Sequence, residues 1–440
     1  MIRLCRFSAS FLLFSFLAFL LVFHFTYAVL PLIAGASAVL CLLFSGRRFS
    51  GAFAVDDYLI LAVLVLFSAV WLGDVWRTGQ WPVGEGRQGV WLPVWPLLAG
   101  LVLLVWRCVP PTATAWWFGV LVGALLAGGI AAYESLWLGG GRAHNGMNPI
   151  PFGNLALLLA TLSLVLLVYP RALFGHEYSG CKRVLCVLGV FAGLLASVLS
   201  GTRGGWVVFP VLALILCWAA SFMLPRKGIA VWSVLLLSSL LMIALLPQVS
   251  VSNRVSQGVG DLEEYVDGER DSSLGIRLEM WEAGWLLIKA KPLLGWGEGR
   301  LEVRRDEWVA EGRFTQGVSL HDQLHSDMID TLARRGLLGL LSLLGLYGVP
   351  LWLFWRYWRQ GAKAGNSEVQ AFALCGVLIV VAFVGFGLSQ SMLRDARGLS
   401  GFLGLMVACW CLLKQAAECQ GDAGLRPSAS LCPWVNTTYE

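Results

Sequence analysis

The chain has 440 residues, of which 58% are hydrophobic and 13% charged, with 32 Lys and Arg against 27 Asp and Glu. A soluble domain carries about 25% charge. Here apolar runs of roughly 18 residues or more recur from end to end, each able to cross a hydrocarbon core of about 30 Å, which excludes a soluble enzyme. The net charge of +5 is spread over many short loops, so it reports topology and not nucleic-acid binding.

The first element, MIRLCRFSASFLLFSFLAFLLVFHFTYA, has the basic start and greasy centre of a signal peptide. Its apolar run is long for that role and another follows at once, so it reads as an uncleaved first helix. About twelve spans are predicted, at roughly 8–25, 28–45, 57–73, 90–106, 115–137, 150–169, 184–200, 205–223, 229–247, 336–355, 368–389 and 397–413. The fold class is therefore an all-α polytopic membrane protein. Its 50 glycines suit close packing of membrane helices, and its 21 tryptophans suit interfacial belts. The expected organisation is an N-terminal bundle over 1–247, a long periplasmic loop with amphipathic helices over 248–335, further spans over 336–415 and a cytoplasmic tail over 416–440.

Orientation follows from the positions of Lys and Arg. With Arg3 and Arg6 in the cytoplasm, the inward loops hold Arg47, Arg48, Arg107, Arg171, Lys182, Arg183, Arg226, Lys227, Arg356, Arg359 and Lys363. Lys414 and Arg426 of the tail are inside as well. The outward loops hold fewer cations: Arg77, Arg87, Arg142, Arg203, Arg394 and Arg397. This alternation also supports an even number of spans.

The long outward segment opens on a polar, acidic stretch and continues as LGIRLEMWEAGWLLIKAKPLLGWGEG. Met280, Trp281, Trp285 and Ile288 recur at helical spacing, which predicts an amphipathic helix. Its expected partner is a second short helix, HDQLHSDMIDTLARR, with Leu324, Met328, Ile329 and Leu332 on one side. Helices of this kind lie at a membrane surface, which would put His325 at headgroup depth.

A surface histidine by itself is usually a polar residue on a solvated face, and each outward arginine alone reads as a headgroup anchor. The neighbours argue otherwise. SGTRGGW is a tight hairpin between two spans that pins Arg203, and Gly201, Gly204 and Gly205 suggest a nest of open N–H groups suited to an anion. Arg277 stands at the start of the amphipathic helix, where a phosphate would meet the favourable end of the helix dipole. Arg142 lies in the Gly-rich loop GGGRAHNGMNPIPFGN. Three arginines on one face suit a pyrophosphate, because a guanidinium clamps two oxygens and keeps its charge. A pyrophosphate at the outer leaflet implies a lipid carrier. A neutral imidazole beside it can accept a proton from an attacking hydroxyl. Together these describe glycosyl transfer from a lipid diphosphate.

These residues resemble the bacterial O-antigen ligases, within the wider group of ligases and polymerases that use polyprenyl-diphosphate glycans. His325 and Ser326 are followed by nine residues and then Gly336-Leu-Leu-Gly339, similar to that family's pattern of His, a small polar residue, nine residues and G-x-x-G. SGTRGGW resembles its Arg–Gly hairpin, GIRLEMWEAGWLLIKAKPLLGWGEG its Arg–Trp helix and following turn, and GRAHNGMNPIPFGN the segment that sets ligases apart from polymerases. The resemblance implies a GT-C-like fold of about twelve helices in the bacterial inner membrane, with a periplasmic, metal-independent, inverting site and no cofactor. It implies His325 as base and Arg203, Arg277 and Arg142 on the diphosphate. The donor would be O-antigen on undecaprenyl diphosphate, and the acceptor a sugar hydroxyl of lipid A–core. His321 and Arg87 would be supporting residues, with Arg394 and Arg397 weaker candidates.

Other readings stay in view. An O-antigen polymerase, or a ligase acting on Ser or Thr of a periplasmic protein, would share the donor site and differ in the acceptor. A transporter would keep ionisable groups near mid-membrane, whereas Asp56, Asp57 and Glu134 lie near span ends. The acids from Asp261 to Asp271 are scattered in a polar loop and do not suggest a metal site. Asp322, Asp327 and Asp330 are expected to solvate the helix or steady a histidine. The eleven cysteines show no paired C-x-x-C spacing and behave as small apolar residues.

Overall fold

The computed structural model describes residues 2–45, 53–83, 91–170, 172, 180–223, 260, 270 and 272–424. In chain order the main helices are α1 (Ile2–Phe19), α2 (Thr26–Ser45), α3 (Val55–Thr78), α4 (Trp95–Cys108), α5 (Ala113–Ala132), α6 (Pro149–Val168), α7 (Gly180–Leu199), α8 (Arg203–Met223), α9 (Ser273–Ala290), α10 (Arg300–Ala310), α11 (Asp327–Ala364), α12 (Ser367–Phe386) and α13 (Ala396–Gly424). The described residues contain no strand.

Among the described residues eight helices are long and apolar enough to cross a membrane, so the chain is a helical membrane protein. The described residues do not decide the expected count of twelve. Helices also stand at the expected first, second and fourth spans, but α4 has only 14 residues after a short 3-10 turn over Leu92–Val94. The ninth expected span, 229–247, lies outside the described residues, as do Arg87 and the acidic stretch 261–269.

α6, α12 and α13 are apolar on nearly every side and buried on nearly every side, so they form the centre of the bundle. α6 packs on α5, α7, α8 and α12, while α3 and α12 flank α11. The outer helices keep exposed Leu, Val, Trp and Phe, as a surface facing hydrocarbon requires.

The ends of the bundle are tied by ion pairs. At one end Arg107 of α4 bonds Asp57 of α3 at 2.8 Å and Glu418 of α13 at 2.6 Å. There Arg356 and Tyr357 of α11 also meet Asp56. At the other end α9, α10 and the segment after them form a second, smaller core, with Met280, Ala283, Leu287, Leu301, Val318 and Leu324 fully buried. The expected apolar stripe on α9 therefore divides. Met280 and Ile288 face this core, whereas Trp285 is 55% exposed.

The second expected amphipathic helix is not continuous. Gln316–Leu320 is a 3-10 turn, residues 321–326 are irregular, and the helix begins only at Asp327. His325 thus stands in a bend ahead of α11, in a left-handed conformation with φ 50°. α11 itself kinks at Gly336, the position where the sequence places the start of the next span.

Candidate functional site

The site is assembled from three places where the chain turns at the same end of the bundle: the α7–α8 hairpin, the start of α9, and the bend before α11. A fourth segment, the loop between α12 and α13, lies against them.

Arg203 is the first residue of α8. The glycines beside it serve close packing. Gly201 takes φ 67° and its N–H is spent on the Val198 carbonyl, so it is not part of the expected anion nest. A Cβ on Gly204 would lie 2.4 Å from Ser389 Oγ, and one on Gly205 would lie 2.9 Å from Asn154 Oδ1. A larger residue at either place would push the Ser389 or Asn154 side chain aside where the first turn of α8 settles against the α12–α13 loop and α6.

Arg277 sits one turn into α9, which is capped by Ser272 accepting from Gly275 N–H at 3.1 Å. Arg277 therefore lies near the start of the amphipathic helix, as expected. Arg277 is half-buried and has no acidic partner among the described residues. Burial first, and then the charge of Arg203, pull its pKa below the usual arginine value. The charge of Arg203 is felt at the partly desolvated Arg277, and two such groups on one face can favour a shared anion.

Arg142 is exposed, and its Nε donates to the Ser200 carbonyl at 2.7 Å. Ala143 N–H bonds the Leu199 carbonyl at 3.0 Å. The Gly-rich loop therefore clasps the backbone of the hairpin that carries Arg203. Glu134 holds this loop in turn, accepting from the N–H groups of His144 and Asn145 at 2.8 and 3.0 Å.

His325 is 7% exposed. Its Nδ1 lies 2.7 Å from Gln390 Oε1. Burial is the main reason its pKa falls, to about 4; the Gln390 bond opposes this, and the charges of Arg277 and His321 add to it. The imidazole is therefore neutral at pH 7. His321 is exposed and its ring meets that of His325 edge to face, with centroids 4.9 Å apart. Desolvation lowers its pKa as well.

A buried ionic frame supports this bend. Glu298, in the turn between α9 and α10, bonds Arg394 at 2.8 and 3.0 Å, Arg334 at 3.1 Å and Trp71 Nε1 at 3.2 Å, with Arg335 at 3.5 Å. Burial alone would raise its pKa, but Arg394, Arg334 and Arg335 hold it down to about 2. Arg334 also bonds Asp330 and Glu302 and donates to the Asp322 carbonyl. Asp330 accepts from Leu324 N–H at 3.1 Å, next to His325. Asp327 accepts from Leu393 N–H, and its own N–H bonds the Gly387 carbonyl. Asp327 and Asp330 are thus buried structural groups and do not solvate the helix. Arg305 donates to the His321 carbonyl and fixes the other side of the bend.

The structure therefore brings Arg203, Arg277, His321 and His325 together and places Arg142 behind the hairpin. Arg394 is taken up by Glu298, and Arg397 donates to the His24 carbonyl and lies over the Tyr27 ring. Neither is aimed at the arginine pair by any described contact. Sequence reasoning missed Gln390 and Glu298, whose only local signals are polar residues in otherwise apolar or Gly-rich turns. Among the described residues, no cluster of three or more His, Cys, Asp or Glu forms a metal site.

Residues 188–344 match the family described as O-antigen ligase. The match spans Arg203, Arg277, Glu298, His325 and Gly336 and leaves Arg142 and Gln390 outside it. The chain is also 23% identical over 305 residues to an uncharacterized protein of Haemophilus influenzae, covering 68% of this chain and 73% of that relative. The matched segment carries the hairpin arginine, the helix arginine and the histidine bend of the site just described, and over that segment the chain is similar to the O-antigen ligase family.

Proposed function

We propose that this protein is an O-antigen ligase that transfers a glycan from undecaprenyl diphosphate to a sugar hydroxyl of lipid A–core, at the periplasmic face of the bacterial inner membrane. The observation that carries this reading is the juxtaposition of two neighbouring arginines with a neutral, buried histidine. Arg203 and Arg277 hold the diphosphate, and Arg142 keeps the hairpin in place. The unprotonated nitrogen of His325 takes the proton of the acceptor hydroxyl. The resulting oxygen attacks the anomeric carbon from the face opposite the leaving group. The carbon–oxygen bond to the diphosphate breaks, its electron pair leaves with undecaprenyl diphosphate, and the arginines stabilise the added charge. Attack from the opposite face inverts the anomeric centre. Because guanidinium groups supply the positive charge, the reaction is expected to run without a metal.

The test is transfer by purified protein supplied with a polyprenyl-diphosphate glycan and lipid A–core in the presence of chelator. Movement of a glycan block onto the core supports the ligase and its independence of divalent metal. Longer lipid-linked glycans with untouched core would instead establish a polymerase. Transfer to a periplasmic protein alone would establish a protein O-oligosaccharyltransferase.

A further inference from the structure

We infer that Gln390 is a positioning residue: its amide oxygen accepts from His325 Nδ1–H and so leaves Nε2 as the basic nitrogen. This rests on the assignment of His325 as the base and deepens it.

The geometry is specific. Gln390 is 1% exposed and its Oε1 lies 2.7 Å from His325 Nδ1. Both partners are held by the same framework. Gln390 N–H bonds the Phe386 carbonyl at the end of α12, and its carbonyl accepts from Met392 N–H at 2.9 Å. The loop is then fastened to the start of α11 by Asp327, through the Gly387 carbonyl at 2.8 Å and the Leu393 N–H at 2.9 Å. Arg394, four residues beyond Gln390, is locked to Glu298. On the other side, Asp330 fixes Leu324, and His325 is held in a backbone conformation that a non-glycine residue adopts only when its surroundings require it. Strain at this point is consistent with a side chain that must reach one place.

The chemistry follows from the inventory of donors. A neutral imidazole has one N–H and one bare nitrogen, and the group bonded to one decides the state of the other. An amide oxygen can only accept, so the proton sits on Nδ1 and Nε2 is free to take a proton from a hydroxyl. A carboxylate at this position would do the same but would also stabilise imidazolium. An uncharged amide sets the tautomer without trapping the base in its protonated form. The charged or titratable groups around His325 are Arg277 from α9, His321 from the preceding bend and Asp330 from α11. Gln390 is the group on the α12–α13 loop, and it has no charge.

The experiment combines nitrogen-15 NMR of histidine-labelled protein in membranes with transfer kinetics, using His325→Ala to identify the His325 signals. The wild-type protein should show the proton on Nδ1. Gln390→Leu should shift the population toward Nε2–H and lower kcat by about 10- to 100-fold, with the KM for donor unchanged. Gln390→Glu should keep the Nδ1–H tautomer and raise the His325 pKa by about 1–3 units, moving the acid limb of the pH profile upward. A role confined to folding would move neither tautomer nor pH limb. A wild-type Nε2–H signal, or a Gln390→Glu protein with an unmoved His325 pKa, overturns the inference. Normal transfer by His325→Ala would sink the base assignment itself. An inactive His325→Ala beside a fully active Gln390→Leu with an unchanged tautomer would sink only the role of Gln390.

Discussion

Arg277 and His325 act on each other, and that coupling defines what the free site can do. With its pKa pulled to about 4, the imidazole is unprotonated throughout the neutral range, but it is a weak base. A bound diphosphate would place negative charge beside Arg277 and oppose the depression. The sign is definite: a nearby anion favours imidazolium, so the pKa rises when donor binds. The acid limb of kcat/KM, which reports the free enzyme, should therefore lie near pH 4, and that of kcat should lie higher. Coincident limbs would show that the donor phosphate does not sit against Arg277. His325→Ala should abolish transfer while the protein still inserts and survives purification. Arg203→Lys should also fail to restore normal transfer, because a point charge lacks the two-toothed fork that fits phosphate oxygens. Wild-type rates from Arg203→Lys would reduce that side chain to a headgroup anchor.

At the scale of elements, the site depends on one kink. Gly336 has φ 60° and ψ −157°, and a Cβ there would stand 2.2 Å from the Leu293 carbonyl. The kink lets the segment after α9 lie across α11, with Leu337 N–H on the Pro292 carbonyl and Trp296 N–H on that of Ala333. Glu298 is thereby carried into the cluster of Arg334, Arg335 and Arg394. Gly336→Ala should cost about 1–3 kcal/mol in backbone strain alone, read as a lower melting temperature, with loss of transfer. Glu298→Gln should cost about 3–5 kcal/mol, because it leaves buried arginines with less compensation. The folded pKa of about 2 lies below the ordinary carboxylate value of 4.5, so the stabilisation by Glu298 is complete above pH 4.5 and is lost as pH falls through 2. A Glu298→Gln protein as stable as wild type would mean that the cluster contributes nothing net. These elements also show what a sequence can disclose. The spacing from His325 to Gly336 and Gly339 is visible because all three belong to one local turn and helix. The partners that set the site are remote: Gln390 is 65 residues from His325, and Arg394 is 96 residues from Glu298. Nothing periodic joins such pairs. The irregular path of residues 321–326 was hidden for the same reason, since the apolar spacing of Leu324, Met328 and Ile329 fits a helix while Asp330 and Arg305 hold the backbone out of one.

At the scale of the molecule, the charges divide between two ends, and this division carries the reading of sidedness. The Arg203 hairpin, the His325 bend and the Glu298 cluster lie together. Lys182 and Arg183 stand at the start of α7, one helix length of about 30 Å from the hairpin. Arg107, Arg356 and Lys414 belong with Asp56 and Asp57, at that same far end. Counted over the short connections alone, as the rule requires, cations are in surplus there, the pattern expected of a cytoplasmic face, and the proposed transfer from an outer-leaflet donor needs His325 to open to the other side. Cysteine labelling decides the point. Glu307 is exposed on α10, beside the Arg305 that holds the histidine bend, and Cys181 is exposed at the start of α7. In single-cysteine proteins, a membrane-impermeant maleimide applied to cells with an opened outer membrane should label Glu307→Cys at once. It should reach Cys181 only after the inner membrane is broken. The reverse order would put the arginine pair in the cytoplasm, and a periplasmic ligase could not be built from this chain.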